Sequence, residues 1–376
     1  MDYPISRREF LKTSGIVAGS LAIGSNFSGC ASSLSAEFDS DATGPVSYPK
    51  LQGHKIQSPE HYGLEGCYTG IWFGNGPLVH QPKSTIEDYV KKVGKKPTFV
   101  FIPHRPIPIY YSGTGIDSVI YEGNRSFKLI QKIGDMGIIP FITYDMRLGQ
   151  SNESGHNDVI AGKLDDEITV TAQWMKRYGE EFGGFFIRTM REMNLSMAWP
   201  WAGDVRKFKQ TWQYIWTIFE NEGANQYATW VFNPYVGHRG DSIAHYYYPE
   251  DQFVDWIGFN GYNFDGQRLL SNRMGFELMF SYPSGYYYKN HPKKPQLICE
   301  TGMDNLNYKP EWVKNNFDFM RNSMTLINGV AIWSEKWSHK RILYFDSRID
   351  SSPEALAAYR EAVSDPYFIG AIKDRL

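Results

Sequence analysis

The segment Phe185–Trp201, FFIRTMREMNLSMAWPW, decides the fold, because it changes from a buried strand to a polar, aromatic loop within a few residues. Its first residues form the short, continuously apolar run that is typical of a strand covered on both faces. The run ends in Arg191-Glu192-Met193-Asn194, and tryptophans follow. A second apolar run, Gln296–Gly302 (QLICETG), also ends on a carboxylate, Glu300. The two segments predict two glutamates at the ends of two buried strands.

Apolar runs of this kind alternate with amphipathic, helix-like segments from about residue 62 onward. The predicted strands are Gly66–Gly74, Pro97–Pro103, Ile138–Asp145, Gly184–Glu192, Ala228–Asn233, Asp255–Tyr262, Gln296–Glu300 and Gly329–Trp333. Eight such units fit a (β/α)8 TIM barrel better than an open sheet. No Gly-x-Gly-x-x-Gly follows a strand, so a nucleotide-binding sheet lacks its signature. The sequence therefore predicts an α/β fold with one barrel domain over residues 61–376.

Capping signals predict where several helices begin and end. Ser84-Thr-Ile-Glu87 has the pattern of a capping box, which predicts a helix that begins there and ends at Gly94. Ser352 followed by Pro353 predicts the start of the last helix. A short aromatic segment near Ile243–Tyr248 follows the fifth strand, and a weaker helical pattern covers Leu269–Asn290.

Composition excludes several classes of protein. The formal charge of −2 is balanced, which argues against binding to nucleic acid or through a polybasic surface to a membrane. The three cysteines form no CxxC pair and the nine histidines no HExxH, so we expect no metal and no cofactor. Aromatic residues make up 16% of the chain, and rings beyond those of the core suit stacking on sugars. We expect a monomer with a polysaccharide as its partner.

The N-terminus is predicted to direct export. Ser6–Lys12 (SRREFLK) resembles the twin-arginine motif, and the apolar segment after it, Gly15–Gly24, is too short to span a bilayer. Phe27-Ser28-Gly29-Cys30 resembles a lipobox, in which Cys30 would be acylated; the alternative is a free cysteine in a discarded peptide. Residues 31–60 are predicted to be a tether. We therefore expect an exported protein, located at the cell surface, in the periplasm or outside the cell. Its contact with the membrane would be a lipid anchor on Cys30.

Polar and aromatic side chains stand at the predicted strand ends, where barrels of this kind carry their active sites. Retaining glycoside hydrolysis needs two carboxyl groups about 5–5.5 Å apart with pKa values pushed apart. Glu192 and Glu300 fit this role, because strands four and seven project their ends across the mouth of the barrel. Asp145 and Glu335 are rival acids. The residues predicted to bind substrate are His104, Asp145, Arg191, Trp199, Asn233, Tyr262, Trp333 and Trp337, although any of the tryptophans could equally belong to the core.

Over residues 66–340 the chain resembles glycoside hydrolase family 26, the β-mannanase family of clan A. Arg191-Glu192-Met193-Asn194 is similar to the family's His-Glu-Met-Asn-Gly. The other similar pieces are Phe253–Gly258 with Gly261-Tyr262-Asn263, and Lys294-Pro295 leading to Glu300-Thr301-Gly302. The resemblance implies a retaining double displacement on a β-linked polysaccharide. It makes Glu192 the acid/base, Glu300 the nucleophile and Tyr262 a contact of the nucleophile.

Two departures from the family pattern bear on the substrate. Arg191 stands where the family has histidine, and Met197 where a tryptophan is expected. A permanent cation beside Glu192 is expected to lower its pKa, which works against a general acid, or to bind a hydroxyl or carboxylate of the substrate. β-1,4-Mannan is the expected substrate. Mixed-linked β-glucan, β-1,3-xylan, an acidic exopolysaccharide and a non-catalytic carbohydrate-binding barrel remain as alternatives, and endo versus exo action stays open.

Overall fold

The computed structural model describes residues 55–104, 123–144, 155–195, 199–236, 241–263, 275–304, 307–339 and 343–372. The predicted export signal, with Cys30, and most of the predicted tether lie outside these residues. None of the helices in the described part of the chain is long and apolar enough to cross a membrane.

Eight parallel strands form a closed barrel. They are β1 Cys67–Trp72, β2 Phe99–His104, β3 Ile139–Tyr144, β4 Phe185–Thr189, β5 Ala228–Phe232, β6 Trp256–Asn260, β7 Gln296–Thr301 and β8 Ile327–Trp333. Each strand pairs with the next along the chain, and β8 pairs back onto β1 from Tyr68↔Gly329 to Trp72↔Trp333. The predicted (β/α)8 barrel is confirmed, and all eight strands lie where the sequence placed them, within a few residues.

Helices form the outer layer. They are α1 Asn75–His80, α2 Pro82–Val93, α3 Gly123–Asp135, α4 Gly155–Ile160, α5 Asp165–Phe182, α6 Val205–Asn221, α7 Asp241–Ala244, α8 Phe276–Asn290, α9 Lys309–Ser323 and α10 Pro353–Ser364. An antiparallel hairpin, β9 Lys336–His339 and β10 Leu343–Asp346, follows β8, and a short strand, β11 Phe368–Ile369, pairs in parallel with the first two residues of β1.

The predicted capping box at Ser84 is wrong. Helix α2 begins two residues earlier, at Pro82, whose fixed φ and missing N–H suit the first turn. The hydroxyl of Ser84 turns back to the carbonyl oxygen of Gln81 instead, at 3.3 Å. The start of the last helix is confirmed, because the Ser352 hydroxyl accepts a hydrogen bond from the backbone N–H of Ala355.

Aromatic rings fill the interior of the barrel. Phe101 stacks on Phe141 with ring centroids 4.2 Å apart, and Phe99 and Phe186 pack against the same group. A Cβ atom at Gly70 would come within 2.0 Å of the Phe99 ring, so only glycine fits there. Alternate strand residues that point outward pack against the helices in a second, larger apolar cluster.

The segment before the first strand closes the bottom of the barrel, which corrects the predicted boundary of the tether. Ile56 is 1% exposed and belongs to the interior cluster. Its N–H donates to the Thr229 hydroxyl at 2.7 Å, and its carbonyl oxygen accepts from the Trp256 indole at 2.9 Å. Lys55 also pairs with Asp255, the residue before β6, at 2.9 Å. Ile56 thus packs against the interior of the barrel, so residues 55–60 belong to the folded domain.

Candidate active site

A strained turn after β4 carries Glu192 into the mouth of the barrel. Met190 and Glu192 both adopt positive φ angles, 49° and 56°, a region that side chains other than glycine seldom occupy. Neighbouring strands hold the turn in place. The N–H of Glu192 donates to the carbonyl oxygen of Asn233 at 2.8 Å, and Asn194 exchanges two hydrogen bonds with the backbone of Tyr235. The loop after β5 therefore fixes the position of the loop after β4.

Uncharged donors contact the Glu192 carboxyl group. Its Oε1 accepts from the amide of Asn260 and its Oε2 from the indole of Trp199, each at 2.8 Å. Burial raises the pKa of Glu192, and the nearby Glu300 carboxylate raises it further. The Arg191 charge and the two hydrogen bonds act in the opposite direction but are outweighed. Glu192 thus keeps its proton to a higher pH than an ordinary carboxyl group does, as a general acid must.

A bulge in β7 brings Glu300 into the same space. Leu297 and Cys299 point into the barrel, so regular alternation would turn Glu300 outward. Against β8, however, Ile298 pairs with Val330 whereas Thr301 pairs with Ile332, so β7 contains one extra residue. A bulge of this kind redirects the side chains beside it. The Glu300 carboxylate consequently lies inside the mouth of the barrel.

Cations and a phenol surround Glu300. Its Oε1 accepts a hydrogen bond from Arg188 and lies 3.9 Å from Nε of Arg191, and its Oε2 accepts from the hydroxyl of Tyr262. Burial alone would raise the pKa of Glu300, but the charges of Arg188 and Arg191 and the hydrogen bonds from Tyr262 and Arg188 outweigh burial and lower it. Glu300 is therefore ionised, as a nucleophile must be. The contact with Tyr262 is the one that the family resemblance implied.

Sequence reasoning missed Arg188, which joins the site together. Its guanidinium is 2% exposed and donates to Thr143 at 2.9 Å, to Asn233 at 2.6 Å and to Glu300. It also lies over the Phe101 ring, 4.6 Å from the centroid. A signal was present in the sequence, since Arg188 is a charge within an apolar strand and stands two residues after Phe186, on the face that points into the barrel.

Asn233 and Asn260 connect the two carboxyl groups through a buried network of hydrogen bonds. Asn260 donates to Glu192, and its side-chain oxygen accepts from Asn233 at 3.1 Å and from Arg188 at 3.5 Å. Asn233 was predicted to bind substrate, but its side chain is 0% exposed and is enclosed by this network. Its position supports the carboxyl groups and does not face the cleft.

The predicted aromatic residues take different positions. Trp199 lies beside Trp201, with centroids 5.1 Å apart, and under the guanidinium of Arg191, whose Cζ is 4.3 Å from the ring. Trp201 is buried, and its indole donates to the carbonyl oxygen of Arg191. Trp333 packs on Trp72, at 4.9 Å, and edge-on against Tyr262, at 6.4 Å. Trp199 therefore contacts Glu192 directly, as its indole donates to that carboxyl group, whereas Trp333 packs against Tyr262, the residue that donates to Glu300.

The remaining candidates lie farther from this centre or outside the described residues. Trp337 lies on the β9–β10 hairpin and stacks on Phe345, with centroids 4.3 Å apart. Glu335, a rival acid, accepts a hydrogen bond from the Trp72 indole at 2.8 Å. His104 ends β2, but its side chain lies outside the described part of the structure, as does all of Asp145. Cys67 and Cys299 are both free and buried. Within the described residues no three His, Cys, Asp or Glu side chains cluster as metal ligands would.

One carboxyl group with a raised pKa and one with a lowered pKa share a cleft at the C-terminal ends of barrel strands, which is the arrangement that a retaining glycoside hydrolase of the (β/α)8 class requires. Comparison with known proteins agrees. Residues 143–276 match the model of Glycosyl hydrolase family 26. The matched residues include Arg188, Glu192 and Tyr262, whereas Glu300 follows them.

A curated relative is endoglucanase H of Acetivibrio thermocellus, 32% identical over 216 residues. The alignment covers 55% of this chain and 23% of the relative, so the chain spans about a quarter of that protein's length. Among solved structures, a family 26 β-mannanase from Bacteroides ovatus superposes with a TM-score of 0.58 at 14% identity, covering 84% of this chain and 93% of the other. The mannanase man26 of Bacillus subtilis gives 0.55 at 14%, covering 82% and 87%. At these identities the structural likeness establishes the fold alone.

Proposed function

We propose that the protein hydrolyses a β-linked polysaccharide with retention of anomeric configuration, with Glu192 as acid/base and Glu300 as nucleophile. One observation carries the assignment. Arg188, Arg191 and Tyr262 converge on Glu300, whereas the hydrogen bonds to the Glu192 carboxyl group come from the uncharged donors Asn260 and Trp199. The carboxyl group that is surrounded by positive charge is the one suited to act ionised.

The roles give a double displacement. Glu192 gives its proton to the glycosidic oxygen as the bond breaks, while the Glu300 carboxylate attacks the anomeric carbon and forms a glycosyl ester. Once the ester has formed, Glu300 no longer carries a charge, so the pKa of Glu192 falls. Glu192 then takes a proton from a water molecule that cleaves the ester. Two inversions restore the original configuration.

β-1,4-Mannan is the substrate that we propose. The motif resemblance of Arg191–Asn194, Tyr262 and Glu300 supports it, and the solved structures of similar fold include proteins described as mannanases. Mixed-linked β-glucan is the second candidate, since the curated relative is named an endoglucanase. The Arg191 guanidinium, 3.9 Å from Glu300, favours an acidic exopolysaccharide as a third candidate.

Release of reducing ends tests the proposal. Purified protein would be incubated with galactomannan, glucomannan, mixed-linked β-glucan, β-1,3-xylan and an acidic exopolysaccharide, beside the isosteric variants Glu192→Gln and Glu300→Gln. We expect one polymer to be cleaved by the wild type and by neither variant. Cleavage that persists in Glu300→Gln would refute the nucleophile assignment. Binding without cleavage by the wild type would instead identify a non-catalytic carbohydrate-binding barrel.

Trapping separates retention from inversion. A 2-deoxy-2-fluoro glycosyl fluoride of the cleaved sugar slows breakdown of the ester, so a retaining enzyme accumulates the labelled nucleophile. We expect mass spectrometry of a digest to find the label on Glu300. The Glu300→Gln variant is the matched control and should stay unlabelled.

We also propose that the protein leaves the cytoplasm by the twin-arginine route and is anchored through a lipid on Cys30. Ser6–Lys12 and Phe27–Cys30 support this. Replacing Arg7 and Arg8 by lysine should keep the precursor in the cytoplasm, and Cys30→Ala should release exported protein from the membrane fraction. Membrane attachment that survives Cys30→Ala would refute the anchor.

A further inference from the structure

A second concave surface lies on the flank of the barrel, between the loop after β5 and helix α8. It is a cavity of about 150 Å³, here called the flank cavity. Its lining includes Val236, His245, Tyr282, Pro283, Tyr286 and Tyr287. None of the described residues that line it is an Asp, Glu, Lys or Arg, so it offers rings and hydroxyl groups without a strong charge.

Exposed apolar side chains gather around the flank cavity. In the described part of the chain, Tyr246 is 56% exposed, Leu278 63% and Tyr282 70%, and Ile243 is 38% exposed. Leu278 and Tyr282 stand four residues apart on α8 and so share a face. Tyr246 and Tyr282 both lie at the flank cavity. Tyr282 lines it, and Tyr246 packs against His245, another lining residue, with ring centroids 4.0 Å apart.

The outer layer explains why these rings are exposed. The described part of the connection from β5 to β6 contains the one-turn helix α7 and two 3₁₀ turns, His245–Tyr247 and Asp251–Phe253, where the two neighbouring units have helices of 17 and 15 residues. A short connection covers less of α8. Large exposed apolar side chains are unfavourable in water, and when they gather on a surface they indicate a binding site.

The chemistry of the surface selects its ligand. Tyrosine has an apolar ring face and a polar tip, which match the C–H face and the hydroxyl groups of a pyranose. A lining without ionised side chains suits an uncharged ligand. One wall lies close to the active site, because the N–H of Val236 donates to the carbonyl oxygen of Asn260 at 2.8 Å, and the Asn260 amide donates to Glu192.

We propose that the flank cavity, with Tyr246 and Tyr282 beside it, is a second carbohydrate-binding site for uncharged β-linked polysaccharide. The identity of the ligand rests on the proposed function. The site holds a polymer chain on the surface of the barrel while the cleft cuts it. Polymer binding therefore depends on this site, and cleavage of short oligosaccharides does not.

Native gel electrophoresis in the presence of polymer tests the site. The protein would carry Glu300→Gln, so that binding is measured without cleavage, and the gel would contain galactomannan or mixed-linked β-glucan. We expect Tyr246→Ala with Tyr282→Ala to weaken retardation about tenfold in polymer concentration. The matched control is Tyr308→Ala, since Tyr308 is 63% exposed and lies elsewhere, before α9. Equal retardation of the double variant and the control would overturn the proposal.

Activity measurements separate this proposal from the proposed function. On an otherwise wild-type chain, the two tyrosine substitutions should lower the cleavage rate on polymer and leave the rate on a soluble oligosaccharide unchanged. An equal loss on both substrates would overturn the second site. Failure of the wild type to cleave any polymer would refute the hydrolase proposal, yet retardation in the gel would still report the site. If the tyrosine substitutions abolish self-association measured by light scattering and leave retardation unchanged, the surface binds a second copy and the proposal is wrong.

Discussion

Arg188 and Glu300, which lie 112 residues apart in the chain, form an ion pair inside the barrel mouth with side chains only 2% and 4% exposed. The pair joins β4 to β7 across the barrel. The same guanidinium bonds Asn233 on the β5 side and, less closely, Asn260 on β6. One buried cation therefore fixes the proposed nucleophile, Glu300, and, through Asn260, the proposed acid, Glu192.

Removing Arg188 should impair both folding and chemistry. Loss of one partner of a buried ion pair costs about 3–5 kcal/mol, so Arg188→Met should lower the thermal midpoint strongly. The uncompensated carboxylate should also take up a proton at a higher pH. Arg188→Lys, which keeps the charge without the forked geometry, should retain more stability but little activity. Calorimetry and kcat/KM would be measured beside Arg206→Met, a substitution of an exposed arginine. Wild-type activity in Arg188→Met would contradict the role of the pair.

The pH profile of kcat/KM should be bell-shaped, because its acidic and basic limbs reflect two carboxyl pKa values that the site shifts in opposite directions. Under the proposed roles, activity requires Glu300 ionised, and its lowered pKa places the acidic limb below the ordinary carboxyl range. Activity also requires Glu192 protonated, and its raised pKa places the basic limb above that range. With an aryl glycoside whose leaving group needs no proton, Glu192→Gln should lose the basic limb and keep the acidic one. A basic limb that persists in this variant would belong to another group.

Arg191 should shift both limbs in the same direction. Its charge lowers the pKa of Glu192 and that of Glu300, so Arg191→Gln should raise both values and move the whole profile to higher pH. Arg191→Lys, which retains a positive charge, should move the profile less. Profiles of the three proteins on one soluble substrate would measure this. A change in KM on a charged polymer with unmoved limbs would instead indicate that Arg191 acts only on substrate.

Trp199 should act on Glu192 through its indole N–H. In the wild type, the hydrogen bond from the Trp199 indole to Oε2 of Glu192 lowers the pKa of that carboxyl group. Trp199→Phe keeps an aromatic ring but removes this hydrogen bond, so the pKa of Glu192 should rise. The basic limb should therefore move to higher pH, and kcat should fall several-fold because the acid is held less firmly. Trp201→Phe is the comparison, since it removes a bond to the Arg191 carbonyl and none to a carboxyl group. An unmoved basic limb in Trp199→Phe would count against the role.

His156 should make the protein sensitive to acid. Its ring bridges the Thr211 hydroxyl at 2.8 Å and the Trp201 carbonyl at 2.9 Å, and burial lowers its pKa below the ordinary 6.5. The folded protein then binds fewer protons than the unfolded chain between the two pKa values. Stability is full above pH 6.5 and is lost as the pH falls toward the folded-state pKa. Thermal midpoints of the wild type and His156→Gln at pH 7.5 and pH 5 should show a smaller acid loss in the variant.

The sequence by itself determined the architecture and the two carboxylates. Apolar runs separated by helix signals indicate eight buried strands, and a closed parallel barrel covers all of them on both faces. Because the ends of parallel strands meet at one face, Glu192 and Glu300 had to lie at the same end of the barrel. Local chemistry misled at Ser84, where Pro82 begins the helix instead, and at Ile56, where an apolar side chain belongs to the core and not to a tether.

The tertiary structure alone decided the protonation states and the direction of the side chains. Strand alternation would have turned Glu300 away from the cleft, and only the bulge that appears when β7 pairs with β8 turns it inward. Arg191 precedes Glu192 in sequence and was expected to lower the pKa of that acid. In the folded chain burial outweighs it, and the same guanidinium lies 3.9 Å from Glu300. Burial and charge pairing depend on which strands meet across the barrel, and no local stretch of sequence contains that information.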